Sequence, residues 1–197
     1  MRHLFRVFTI LFAVILAVSC STDSDDSAED TATSETDETG SLAVSSSSIT
    51  DGVLPDDLKC TRDGGDGVTA PLAWTGAPEG TASFAVMMYH YPANADTETD
   101  DPSTYWLLWG VPSTSSELSR GNTEEVGYVG SDKDNVDAAY TAPCSPGDAT
   151  NSYTIRVYAL SEVPDLPTED SVDIQYTEFM AAISDITLDY GDLDFTN

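Results

Sequence analysis

One histidine lies beyond the first twenty residues. It is His90, near the end of the apolar run SFAVMMYHYPAN (83–94), between Tyr89 and Tyr91 and two places before Pro92. An imidazole can serve as base, metal ligand or hydrogen-bonding group, and the rest of the chain limits which. A zinc site built on two or three histidines cannot form within this chain. A serine nucleophile would have to take His90 as its base, and no G-x-S-x-G turn is present to display one. No glycine-rich phosphate loop occurs either. The reading assigns no catalytic residue and no cofactor, and keeps a weak hydrolase with His90 as base as a second alternative. The acidic clusters Asp63-Gly64-Gly65-Asp66-Gly67 and Asp132-Lys133-Asp134-Asn135 miss the calcium-loop spacing. They read as solvated turns, and no metal site is expected.

The three cysteines divide into two groups. Cys20 closes the leader MRHLFRVFTILFAVILAVSC, in which Arg2 and Arg6 precede an apolar core from Phe8 to Val18. That core is shorter than the roughly 20 residues needed to span a bilayer, so residues 1–20 read as a secretory signal. Cys20 after Ala17-Val18-Ser19 resembles a bacterial lipoprotein processing site, with Leu16 one place early. Acyl chains on Cys20 would tether the chain to a membrane, on the periplasmic face or at the cell surface. Cys60 and Cys144 then remain as disulfide candidates in an oxidising compartment. Such a bridge would contribute about 4 to 5 kcal/mol by closing a long loop.

All 35 acidic residues follow Cys20, but only Lys59, Arg62, Arg120, Lys133 and Arg156 of the seven basic ones do, leaving a formal charge of about −30 beyond the leader. Nucleic acid and anionic lipid surfaces are excluded as partners, because nothing could neutralise their phosphates. The membrane is expected to be met only through the lipid anchor.

Residues 21–50 carry eight acids, no base and no aromatic residue. They read as a disordered spacer, interrupted briefly by Leu42-Ala43-Val44. Folded composition begins near Asp51 and runs to the end, giving a domain over 51–197. Strands are expected at Leu72–Trp74, Ser83–Tyr91, Tyr105–Val111 and Thr154–Leu160. In the second, Phe84, Val86, Met88 and His90 share one face, and Ala85, Met87, Tyr89 and Tyr91 the other. Both faces are apolar, which predicts an interior strand. One helix is expected after Thr168-Glu169-Asp170, from the spacing of Ile174, Phe179, Ala182 and Ile183.

Four segments, in order and spacing, resemble the bacterial Raf-kinase-inhibitor-like branch of the phosphatidylethanolamine-binding protein family. They are CTRDGGDGVTAPLAWTGAPEGTASFAV (60–86), YWLLWGVP (105–112), YTAPCSPG (140–147) and YTIRVYALS (153–161). The resemblance implies a mainly β fold, a β-sandwich with small peripheral helices and a pocket at one end that binds anionic groups. It also implies a role in ligand binding or partner modulation. Relatives build the pocket from Asp-Pro-Asp, His-Trp, Gly-x-Pro-x-Pro and His-Arg motifs. Here His90-Tyr91-Pro92 takes the first place and Tyr105-Trp106 the second. Ala142-Pro143-Cys144-Ser145-Pro146 takes the third, and Asn151-Ser152 the fourth.

The implied ligand residues are therefore His90, Tyr91, Tyr105, Trp106, Pro143 and Asn151, with Cys60 and Cys144 near the pocket mouth. No fixed cation aligns with this pocket, so phosphate loses its charge-assisted bonds. A neutral or weakly anionic small molecule, or an envelope protein, is the expected partner. The first alternative is a non-binding scaffold used in protein contacts.

Overall fold

The computed structural model describes residues 42–122, 126–144 and 149–197. The leader, Cys20 and residues 21–41 of the acidic spacer lie outside the described residues. No described helix is long and apolar enough to cross a membrane.

The strands are β1 (Ala43–Ser45), β2 (Leu72–Thr75), β3 (Ser83–His90), β4 (Ser103–Pro112), β5 (Glu117–Leu118), β6 (Tyr128–Val129), β7 (Ser152–Leu160) and β8 (Thr187–Thr196), with one helix, α1 (Tyr176–Ile183). They form a small sheet, β1-β2-β5, and a large one, β6-β4-β3-β7-β8. Every strand pair is antiparallel. The mainly β sandwich with small helical pieces is thus what the chain forms.

β3 is the middle strand of the large sheet, hydrogen-bonded to β4 on one side and β7 on the other. Its side-chain alternation divides the core in two. Phe84, Val86 and Met88 face the small sheet, joining Leu72, Trp74, Leu108, Val157 and Phe195. Ala85 and Met87 face the other way, under Phe179 and Ile183 of α1, with Leu107, Trp109 and Tyr158. A strand buried on both faces must be apolar at every position, and this accounts for the run SFAVMM.

α1 is shorter than the spacing predicts. Ile174 is buried, but in the loop before the helix. Asp170 does not cap α1; its carboxylate accepts the Val129 N–H at 2.7 Å and so ties the loop to β6.

The folded region begins before Asp51, which corrects the boundary placed there. Leu42-Ala43-Val44 is not an interruption in a spacer. Leu42 is buried, Ala43 and Val44 pair with Thr75 and Trp74, and Ile49 and Leu54 join the core. The two leucines and the isoleucine bury enough apolar surface to offset the ordering of so short a segment. The segment crosses the edge strand β8, where the Leu42 N–H donates to the Asp189 carboxylate at 2.9 Å. A Cβ at Gly191 would lie 2.0 Å from the Leu42 carbonyl oxygen, so only glycine permits the crossing.

Gly191→Ala should therefore lower the unfolding free energy by about 1–3 kcal/mol, the usual cost of overpacking, as read from urea denaturation. A variant as stable as the parent would mean that the segment is not seated on β8.

Candidate functional site

At the open end of β3 the alternation continues to His90, whose Nδ1 lies 2.7 Å from the Ser152 carbonyl oxygen. A carbonyl only accepts, so Nδ1 carries a proton. The imidazole leans on Tyr153, 5.2 Å between centroids, and meets Tyr105 edge-on at 6.5 Å. Tyr105 and Tyr153 are themselves edge-to-face at 5.2 Å. Tyr153 stacks on Phe195.

Tyr105 reaches this cluster because β4 carries an extra residue there. Met88 pairs with Trp106 but Tyr89 pairs with Thr104, so Tyr105 has no partner in β3. A bulge of this kind re-aims one side chain. Tyr105 and its neighbour Trp106 consequently both pack on the small-sheet side of the core. Trp106 is fully buried and meets Tyr140 edge-on at 6.0 Å.

The cluster holds phenols, an imidazole and an indole, with no fixed ionic pair. Burial holds the Tyr105 phenol well above its ordinary pKa, and the Tyr153 phenol raises it further. Tyr140 behaves the same way for the same two reasons. Tyr153 thus stands in electrostatic reach of both. The Tyr153 hydroxyl is buried in reach of the Tyr105 phenol, and the Trp106 Nε1 is buried with no hydrogen-bond partner among the described residues. Thr69 Oγ1 and Trp74 Nε1 are also unpartnered, elsewhere in the same core.

The remaining implied ligand residues are distributed differently. Tyr91 lies on the opposite face of the sheet, edge-on to Tyr89 at 5.9 Å. Alternation along β3 separates it from His90, so it does not belong with the cluster. Pro143 is buried, and its carbonyl accepts the Cys60 N–H at 3.0 Å. Asn151 exchanges hydrogen bonds with Asn197, its N–H going to Oδ1 at 3.2 Å, which ties the start of β7 to the C-terminus. It adjoins Ser152 without contributing to the aromatic cluster.

Cys60 and Cys144 are joined in a disulfide, Cα atoms 5.3 Å apart. With Asp63 they are the described residues closest to a metal-ligand grouping, and the bond between the sulfurs accounts for their proximity. The bridge forms one wall of a cavity of ≈ 580 Å³ that includes Arg62, Lys133, Tyr140 and Thr141. Tyr140 connects this cavity to the cluster through Trp106, and the Thr141 N–H donates to the Tyr105 carbonyl at 2.7 Å. A second cavity of ≈ 380 Å³ is lined by Ser152, Tyr153 and Phe195 on the other flank. Neither counts His90 among its walls.

Sequence reasoning missed Tyr140, Tyr153 and the two cations of the larger cavity. Arg62 pairs with Asp63 and Lys133 with Asp134, so neither presents an uncompensated charge. The YTAPC and YTIRV segments contain both tyrosines, but only the register of β7 against β3 brings Tyr153 beside His90.

Comparison with known proteins agrees with this architecture. The family profile described as Phosphatidylethanolamine-binding protein matches residues 44–196. Among curated proteins, the UPF0098 protein YbcL of Escherichia coli (strain K12) is 33% identical over 102 residues, 48% of this chain and 54% of that protein. A UPF0098 protein of Aquifex aeolicus (strain VF5) is 30% identical over 112 residues, 51% and 58% of the two lengths. The matched part therefore spans a little over half of each relative. Among solved structures, the putative phosphatidylethanolamine-binding protein homologue CT736 of Chlamydia trachomatis superposes with TM-score 0.65 at 19% identity, covering 80% of this chain and 97% of that one. Escherichia coli YbcL gives TM-score 0.64 at 22% identity, covering 79% and 96%. At these identities the two structures speak to the fold.

The raised phenols have a consequence at alkaline pH. A phenol whose folded pKa exceeds its unfolded value of about 10 stabilises the fold fully below that pH, and the contribution is lost as pH rises through the folded value. Ultraviolet titration should show the Tyr105 and Tyr140 phenolates appearing only with unfolding, and Tyr105→Phe should retain more of its stability above pH 10 than the parent. Titration of all nine tyrosines near their ordinary pKa in a still-folded chain would contradict the burial described.

The profile covers most of the chain and the sandwich is shared: the chain belongs to the phosphatidylethanolamine-binding protein family, in its bacterial branch, and carries that family's ligand-binding fold.

Proposed function

We propose that the chain is an extracytoplasmic, lipid-anchored protein whose domain binds a small neutral or weakly anionic ligand at the His90 end of the sandwich. The observation that carries the reading is the buried Trp106 Nε1 beside the aromatic cluster, which no described residue accepts a hydrogen bond from. It costs about 1–3 kcal/mol if left unsatisfied. An indole N–H can only donate, so the matching ligand brings an oxygen acceptor. No ionic pair lies within the cluster, and the two cations beside it are already matched by carboxylates. A strongly charged phosphate is therefore disfavoured relative to a carbonyl, hydroxyl or single carboxylate.

One observation favours the alternative of a non-binding scaffold. The His90 ring is oriented by a backbone carbonyl, and neither flanking cavity has it in its wall. A hydrolase would need a nucleophile held at Nε2, and the cluster's neighbours at that ring are phenyl faces and edges.

Native mass spectrometry of the purified chain separates the two. The ligand reading predicts an adduct on the parent that is reduced at least tenfold in His90→Ala and Tyr105→Phe. An adduct-free parent would favour the scaffold. The anchor is tested by metabolic labelling with radioactive palmitate, which should mark the parent and not Cys20→Ser; labelling of neither would contradict it.

A further inference from the structure

Three segments enclose the cavity of ≈ 580 Å³ that the disulfide borders. Residues within 60–67 form one wall, 132–134 a second and 140–144 the third. The second and third are joined by the Lys133 N–H, which donates to the Thr141 hydroxyl at 3.1 Å. The first and third are joined by the Cys60–Cys144 bridge and by the Cys60 N–H, which donates to the Pro143 carbonyl at 3.0 Å.

The two sides of the bridge are held very differently. The Cys60 loop is bonded to itself. The Asp63 and Gly65 N–H groups return to the Cys60 carbonyl, and those of Asp66 and Gly67 to Asp57 and Lys59. Gly65 packs so closely that a Cβ there would lie 2.1 Å from the Lys59 carbonyl oxygen. Residues 140–144, by contrast, belong to no strand or helix. The Thr141 N–H donates to the Tyr105 carbonyl at 2.7 Å, beyond the two residues of β4 that β6 pairs. From Ala142 to Cys144 the hydrogen-bond and covalent ties among the described residues are the Pro143 bond and the bridge. Without the bridge, a compact loop would face a segment tied to it by one backbone hydrogen bond. Segments held so lightly open locally while the rest stays folded.

The bridge is open to attack. Both cysteines are half-buried and stand in the cavity wall. An Asp63 carboxylate oxygen lies within 4.8 Å of the sulfurs, but the Arg62 fork on it, at 2.9 and 3.1 Å, offsets its charge. Asp66 and Asp134 in the same walls are matched by Arg120 and Lys133. A thiolate approaching through the cavity therefore meets paired rather than bare carboxylates. Tyr140 connects the bridge to the site proposed above. It stands in the cavity wall and lies edge-on to Trp106, which is not itself in the wall. Displacing residues 140–144 uncovers the indole.

We propose that Cys60–Cys144 is a redox-operated clasp: a dithiol reduces it, residues 140–144 part from the Cys60 loop, and the cavity opens toward Trp106. One thiolate of the dithiol attacks a bridge sulfur, and the other cysteine leaves as a thiolate. The second thiol then displaces the protein sulfur from the mixed disulfide. The dithiol ends as a disulfide, having passed two electrons and two protons to Cys60 and Cys144. In the extracytoplasmic setting proposed above, the clasp stays shut until such a reductant arrives. Its use as a gate rests on the ligand reading; its opening does not.

The test is hydrogen exchange read by mass spectrometry on the full folded chain, with and without dithiothreitol, with iodoacetamide labelling to locate the thiols. Cys60 and Cys144 should become labelled under native conditions. Exchange in residues 140–144 should rise at least tenfold, while the Cys60 loop, β3 and β7 exchange as before. Acrylamide quenching of tryptophan fluorescence should rise in step, and should not do so in Trp106→Phe. Cys60→Ser combined with Cys144→Ser should match the reduced parent without any dithiol. The proposal is overturned if the bridge resists dithiothreitol in the folded chain, or if reduction leaves exchange in 140–144 unchanged. It is also overturned if β3 and β7 lose protection equally, since the bridge would then hold the whole fold rather than the cavity. None of these readouts needs a ligand, so an adduct-free parent whose segment opens on reduction removes the ligand reading and leaves the clasp.

Discussion

The burial of β3 on both faces is the constraint from which the rest of the structure follows. A central strand with neighbours on either side and a packed layer above and below can change faces only by alternation. Every residue from Phe84 to Tyr89 is assigned by that rule to the small-sheet core or the α1 core. The rule does not stop where the core ends. It carries His90 toward Tyr153 and Tyr105 and sends Tyr89 to the outer face beside Arg156, where the ring of Tyr91 also packs. Two chemically different surfaces therefore arise from three consecutive residues of one apolar run.

The inner surface shows how a shared scaffold can hold changed chemistry. The family places carboxylates, histidines and an arginine at the end of the sandwich. This chain places phenols and one imidazole at the His90 end of its own sandwich. The bulge at Tyr105 and the disulfide between Cys60 and Cys144 keep the surrounding loops in register. What changes is polarity: burial now works against ionisation of the Tyr105 and Tyr140 phenols.

Much of the fold was legible because β3, β4 and β7 announce themselves by length and apolarity, and the segment 60–86 carries much of the family resemblance. β8 was not legible. TLDYGDLDFT mixes acids with apolar residues, and in so acidic a chain it does not stand out from solvent-exposed sequence. Leu42-Ala43-Val44 was hidden for a related reason, since its partner β2 and its crossing point Gly191 are distant in sequence. Within the site, the face of Tyr91 was available from alternation alone, yet the resemblance to the Asp-Pro-Asp motif put it in one pocket with His90. Tyr153 could not be placed beside His90 without the pairing register of β3 and β7, which no local pattern encodes.

The central claim is that His90 and Tyr91 serve opposite faces of one sheet. Nuclear Overhauser contacts of the His90 imidazole protons in the isotopically labelled chain test it most directly. The account predicts contacts from His90 to the rings of Tyr105 and Tyr153, and from Tyr91 to Tyr89. Contacts from His90 to Tyr89 or Tyr91 rings, with none to Tyr153, would contradict it.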